Sequence, residues 1–330
     1  MDNFNLSKVH NTTHQSSNPS ILLLRPGALG DLILTVPLLV SIRQYFPEAH
    51  LELMAAGFAH DLLAHRGIVN QTRAADTPGL HTFFSSDLEP DEYLAEYFQS
   101  FDWLLSFWPD TEGVFRRQIE RCCRGAVTTH PPNPDPGGDH HASEHLFEPA
   151  TKFGIPFHCP SPLLTSTQEE RTAARTTLKL MELTAKSRLV IIHPGSGSPR
   201  KNWPPDRFAD LVLRIKDAEM TPLLIQGPAD SGSVKAVCNS LHPLEVPRLT
   251  TPPLSELLAM LQMARAYVGN DSGISHLAGA AGTPGIVFFG PTKPAVWRPL
   301  GSGLRIIEAK RLEDITVEIA FNALRSVLPG

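Results

Sequence analysis

An α/β chain of two doubly wound halves is predicted by three features of the sequence. Short continuous apolar runs, Ile21-Leu-Leu-Leu24 and Leu189-Val-Ile-Ile192, read as strands buried on both faces of a parallel sheet. Each run opens an alternation of strand and helix patterns, which is the signature of a sheet wound with helices. Between the two series the composition changes, with eight prolines and the Gly137-Gly138 pair crowded into residues 130–162. Such a stretch predicts a surface loop ahead of an interdomain linker.

The elements follow in order. Residues 1–20 are polar and read as a disordered leader, and 21–165 form the first domain, with a flexible Pro/His-rich loop at 130–148. The strand at 21–24 ends in the glycine-rich turn Arg25-Pro-Gly-Ala-Leu-Gly-Asp31. The apolar segment Leu32 to Phe46 predicts a helix capped at Thr35, which would place Pro37 in the tolerated first turn. His50 to Ala55 and Asp102 to Phe107 predict further strands. In the second domain, 166–330, a helix is expected over Glu169 to Leu183, and strands at 189–192 and 222–225. Helices are expected around 208–216 and 254–264. No short tandem repeat is present.

The chain has 330 residues, 42% of them hydrophobic, which suits a soluble protein of about two domains. With 29 basic against 34 acidic residues and a formal charge of -5, no basic field exists to displace counterions from a nucleic acid. Cys122, Cys123, Cys159 and Cys238 show neither CxxC spacing nor a disulfide framework, which favours a reducing compartment. The apolar runs are too short to cross a bilayer, and the leader has no apolar core of the secretory kind. A cytoplasmic protein is expected.

Three clusters carry chemistry. Tyr267 to Gly282 reads as strand, polar turn and helix, and runs into a second strand through Thr283-Pro-Gly. A helix amino terminus beside Asp271, Ser272, Gly273 and His276 favours an anion, most often phosphate. Gly273 allows close approach, and Ser272 can cap the helix or donate its hydroxyl. The second cluster, His193-Pro-Gly-Ser-Gly-Ser-Pro-Arg-Lys-Asn-Trp-Pro204, follows a strand at a sheet's carboxyl edge. There Ser196 and its glycines expose backbone donors, and Arg200 and Lys201 supply charge. Taken alone it is equally an ordinary turn with a solvated Arg-Lys pair; beside the Asp271 block, a diphosphate site is the better account. The third cluster is Gly27-Ala-Leu-Gly-Asp31. Its carboxylate can act as a general base or cap the following helix, and the turn by itself favours capping.

Arg25 to Asp31 with Thr35-Val-Pro37, His193 to Ser196 with Lys201-Asn-Trp-Pro204, and Gly269 to Gly273 with His276-Leu-Ala278 and Phe289-Gly-Pro-Thr292 occur in that order. Together they resemble the ADP-heptose:lipopolysaccharide heptosyltransferase family, from about Ile21 to Pro299. The resemblance implies a GT-B fold, two Rossmann-like domains facing across a cleft, with acceptor on the first and nucleotide sugar on the second. It implies that Asp31 is the base that deprotonates the acceptor hydroxyl, and that transfer inverts the anomeric carbon through an oxocarbenium-like transition state. It implies that Lys201 pairs with the donor phosphates. Ser196, Asp271, Ser272, Gly273 and His276 would complete the donor site, with Ser272 where threonine is more usual. The leaving diphosphate's charge would be met by Lys201 and the helix end, with no metal and no cofactor.

One departure stands out: Gln226-Gly-Pro-Ala-Asp230 lies where family members carry a donor-contacting glutamate, for which Asp230 could substitute. Donor identity therefore stays open between ADP-heptose and another nucleotide sugar. The acceptor implied is a lipid-linked anionic saccharide of the lipopolysaccharide core type, met by peripheral contact with the inner membrane face.

Weaker signals remain. Arg117, Arg121 and Arg124, at i, i+4 and i+7 of an expected helix, could with Arg116 attract that acceptor. A solvated face paired with Glu120 is the stronger account. His130, His140, His141, His145 and His158 sit near Cys159, but their spacing fits no settled zinc pattern and a polar loop explains them. An epimerase on the same fold would need further acid–base groups. A dinucleotide oxidoreductase lacks its GxGxxG, and a non-catalytic nucleotide-sugar binder would not need the Asp31 turn.

Overall fold

Strands that are apolar on both faces need cover on both faces. The computed structural model, which describes residues 18–184 and 187–328, provides it with helices threaded between parallel strands. The chain divides into two units, Met1–Cys159 and Pro160–Gly330, each with its own sheet.

In the first unit β1 (Ser20–Arg25), β2 (His50–Ala55), β3 (Gln71–Ala74), β4 (Trp103–Ser106) and β5 (Ala126–Thr129) stand in the order β3-β2-β1-β4-β5. They alternate with α1 (Leu29–Tyr45), α2 (Phe58–Leu63), α3 (Glu92–Gln99), α4 (Val114–Cys122) and α5 (Ala142–Thr151). Residues 21–24 of β1 are fully buried. Leu22 and Leu24 pack with Phe83, Phe98, Leu104 and Phe115 on one side of the sheet, and α1 packs against α5.

The second unit opens with α6 (Gln168–Leu180). It continues through β6 (Leu189–His193), α7 (Pro205–Asp217), β7 (Thr221–Gln226), α8 (Ser231–Leu241), β8 (Arg248–Thr250) and α9 (Leu254–Met263). Then come β9 (Ala266–Asn270), α10 (Gly273–Ala280), β10 (Gly285–Phe289), the single turn α11 (Pro294–Trp297), β11 (Leu304–Glu308) and α12 (Val317–Val327). The sheet order is β11-β10-β9-β6-β7-β8. In both units the first strand is internal, and the chain winds outward on one side before returning to the other. Winding therefore reverses between β1 and β4 and between β6 and β9, the positions at whose carboxyl ends open α/β sheets hold ligands.

Several expectations need correction. The residues expected as leader are outside the described residues up to 17, but Ser20 already belongs to β1: it pairs with His50, and its N–H donates to Asp102 Oδ2 at 2.8 Å. Helix α1 begins at Leu29, not Thr35, so Pro37 lies inside it. Gly27, at φ +131°, turns the chain, and Asp31 accepts the Ala28 N–H at 2.8 Å, which closes the helix end early. Burial of nearly every side chain from Leu32 to Leu39 offsets the roughly 3 kcal/mol an internal proline costs. The expected loop at 130–148 contains the start of α5, which runs through Pro149. Its Ala142, Leu146, Phe147 and Ala150 are buried, and the His141 ring accepts the Ser143 N–H at the helix start. Helix α4 stops at Cys122, so Arg124 is not on the face of Arg117 and Arg121.

Candidate functional site

The carboxyl ends of β6 and β9 are neighbours in register, His193 opposite Gly269, so the turns that follow them meet at the second unit's winding reversal. Asn270 ties the two together. Its Oδ1 accepts the Trp203 N–H at 3.0 Å, and its amide donates to the Pro194 carbonyl at 2.9 Å.

Lys201 and Asp271 form an ion pair across these turns, Nζ to Oδ2 at 2.7 Å, with the carboxylate buried and the ammonium partly open. Thr292, after β10, donates to the same oxygen at 2.6 Å. Ser272 is the cap of α10, its hydroxyl accepting the Ser275 N–H. That leaves the Gly273 and Ile274 N–H groups as first-turn donors that no helical carbonyl can reach. Ser196 is occupied within its own turn, its Oγ 2.6 Å from the Ser198 carbonyl and 2.7 Å from Asn202 Oδ1. His276, in the first turn of α10, is buried.

Behind this surface runs a chain of buried hydrogen bonds. His193 Nε2 lies 2.8 Å from Asp230 Oδ2, and its Nδ1 lies 3.2 Å from Ser272 Oγ. With Nε2–H donated to the carboxylate, Nδ1 is left to accept the Ser272 hydroxyl proton. Burial pushes the Tyr267 phenol up, so it stays a donor to Ser275 at 2.8 Å. Ser275 in turn donates to the Asn270 carbonyl.

Asp230 is thus not free to substitute for a donor-contacting glutamate. It is buried, and its Oδ2 accepts both His193 and the Gly227 N–H, the latter at 3.0 Å. Gly195 is needed for the fit, since a Cβ there would stand 2.1 Å from Asp230 Oδ1.

Burial pushes the Asp230 carboxyl up, but the hydrogen bonds from His193 and the Gly227 N–H more than offset it. Its pKa lies below the ordinary carboxylate value. A depressed carboxylate stabilises the fold above its unfolded value of about 3.9, and that contribution is lost as pH falls through the folded one. In urea unfolding, wild-type protein should therefore exceed His193→Gln by a margin that is full above about pH 5 and shrinks below about pH 4. A margin that grew on acidification would exclude this account.

In the first unit Asp31 follows β1. Its Oδ1 accepts Arg25 Nη2 at 3.1 Å while Oδ2 caps Ala28, and its side chain is 28% exposed. Arg25 is buried and fully engaged: Nε donates to Thr35 at 3.1 Å, and the Nη groups to the Pro26 and Pro132 carbonyls. Its guanidinium lies 5.9 Å from the Phe107 ring. Gly27 has no alternative here, because a Cβ would meet Asp31 Oδ2 at 2.6 Å and the backbone is left-handed.

The arginine face is largely paired. Arg116 binds Glu120 at 2.9 Å, Arg121 binds Glu89 at 2.7 Å, and Arg117 donates to the Glu112 carbonyl at 2.8 Å. Of the five histidines, His130 and His145 come together, with ring centroids 4.4 Å apart. His141 serves as a cap, and His158 is held by its backbone to Ser41. Among the described residues no helix is long and apolar enough to cross a membrane.

Sequence reasoning did not select Asn270, Thr292 or the His193–Asp230 pair as site residues. The first two stand inside motifs already singled out. The pair joins residues 37 positions apart, which no local pattern reveals.

Residues 133–320, more than half of the chain, match the family model "Glycosyltransferase family 9 (heptosyltransferase)". The chain is 22% identical over 306 residues to lipopolysaccharide heptosyltransferase 2 of Escherichia coli (strain K12), covering 87% of each protein. A family 9 glycosyl transferase from Veillonella parvula superposes with a TM-score of 0.78 at 19% identity, over 94% of this chain and 99% of that one. The E. coli ADP-heptose LPS heptosyltransferase II superposes with a TM-score of 0.73, also at 19% identity, over 93% and 98%. Two Rossmann-like units of the GT-B kind are the fold these likenesses show.

Proposed function

Because this chain belongs to glycosyltransferase family 9, we propose that it transfers a heptose or related sugar from a nucleoside diphosphate sugar, ADP-heptose first, to an acceptor of the lipopolysaccharide core type. In this reading the second unit holds the donor. Gly273 and Ile274 N–H groups, with the helix dipole, receive a diphosphate oxygen, and Lys201 swings from Asp271 to the phosphates. Ser272 holds the helix end open from behind, while Asp271 orients its own turn through Thr292. Ser196 shapes the opposite wall, and His276 packs beneath the helix's first turn.

The acceptor hydroxyl gives its proton to Asp31 as its oxygen bonds to the anomeric carbon. The bond from that carbon to the diphosphate oxygen breaks on the other face, which inverts the centre. Negative charge that develops on the leaving diphosphate meets Lys201 and α10, so this step needs no metal. The lipid-linked acceptor would be reached from the cytoplasm by peripheral contact at the inner membrane face. Arg117 and Arg121 are candidates to meet its anionic groups, although Arg121 would first have to leave Glu89.

The observation that carries the reading is the pairing of an accessible lysine with a buried aspartate beside a capped, donor-presenting helix terminus. The test is thermal-shift and calorimetric screening with ADP, UDP, GDP and CMP sugars. Stabilisation by ADP-heptose and ADP above the others is expected. Because Asp230 is sequestered, a response to a different nucleotide would keep the transferase and change the donor; no response to any of them would end the proposal.

A further inference from the structure

Three groups with metal-binding chemistry, none of them given a role above, meet in the first unit. His130 directly follows β5, and His145 and Glu148 lie one turn apart on one face of α5, so the fold brings two separate segments to a point. A His130 nitrogen, a His145 nitrogen and a Glu148 oxygen all lie within 4.8 Å of one another. His130 Nε2 is 3.6 Å from Glu148 Oε2, and His145 Nδ1 is 3.7 Å from Glu148 Oε1. Around a tetrahedral ion with bonds of about 2.0–2.1 Å, neighbouring ligand atoms stand about 3.3 Å apart, and each histidine is already within tenths of an ångström of that spacing from one of the two carboxylate oxygens.

The tautomer of one histidine is already fixed. His145 Nε2 lies 2.9 Å from the Pro131 carbonyl, which can only accept. The proton is therefore on Nε2, and Nδ1 presents its lone pair toward Glu148. A carbonyl that fixes the tautomer in this way is the usual outer partner of a ligating histidine. His130 Nε2 is a buried nitrogen with no hydrogen-bond partner. Glu148 is half exposed, which leaves a path for an ion to enter.

We propose that His130, His145 and Glu148 form a binding site for one divalent transition-metal ion of the zinc class. Two imidazoles and one carboxylate suit such an ion, and the exposed side leaves a coordination position for water. Binding would brace Pro131 and Pro132, whose carbonyls receive His145 and Arg25.

The full chain, purified without a polyhistidine tag and stripped with a chelator, should be titrated with Co²⁺ by visible absorption and with Zn²⁺ by calorimetry. One equivalent with a d–d absorption band is expected. Glu148→Gln and His130→Asn should each weaken binding at least tenfold, and exposed His140→Asn should not. Glu148 is a surface side chain, so its variant keeps the fold testable by circular dichroism. Absence of stoichiometric binding, or binding that Glu148→Gln and His130→Asn leave intact, overturns the proposal. Nucleotide binding is measured separately, so the two proposals stand or fall apart.

Discussion

Asp31→Asn is expected to lower the turnover number of sugar transfer by about 10²–10⁴-fold while leaving the ADP dissociation constant within about threefold of wild type. Asparagine keeps the size of the side chain. Its carbonyl oxygen can still accept the Ala28 N–H or the Arg25 guanidinium, so the end of α1 should persist at a cost of about 1 kcal/mol. What it cannot do is take a proton. The split between turnover and donor affinity matters because Asp31 demonstrably caps its helix, and a purely capping residue would affect Tm and not turnover. An Asp31→Asn protein with near-wild-type transfer and a lowered Tm would return the residue to that structural role. Arg25 sharpens the point: a buried guanidinium beside the carboxylate holds the base in place.

What could be read ahead of the structure follows from how local each signal is. Leu189 to Ile192 declares a buried parallel strand by itself, and β6 lies there within one residue. The strand–turn–helix at Ala266 to Ala280 was equally plain, because glycine, Ser272 and the apolar runs on either side agree. Proline misled twice, at Pro37 and Pro149, and in both helices burial of the flanking apolar face outweighs a lost hydrogen bond. Partners distant in sequence were invisible. Asp230, which could have substituted for a donor-contacting glutamate, instead serves His193, while Glu148 stands beside two histidines whose spacing fits no zinc signature. Those associations depend on where turns and helices pack in the folded unit, not on any window of residues.

Lys201→Met should show two separable effects. Without its ammonium, Asp271 keeps Thr292 as its named partner but loses its counter-charge in a buried position, and the apo protein should lose about 1–3 kcal/mol of stability. Independently, ADP affinity should fall about tenfold to a hundredfold, about 1.4–2.7 kcal/mol, because a charge-assisted contact to the phosphates is gone. Asp271→Asn relieves the first problem alone, so adding it to Lys201→Met should recover most of the Tm and none of the affinity. As a single change it should leave ADP binding within threefold of wild type. Denaturant unfolding and calorimetry on the four proteins of this cycle separate the two roles, since coupling is expected in stability and not in affinity. If Lys201→Met bound ADP as wild type does, the ion pair would be a structural clasp only, and the diphosphate would have to be held by the helix terminus without it.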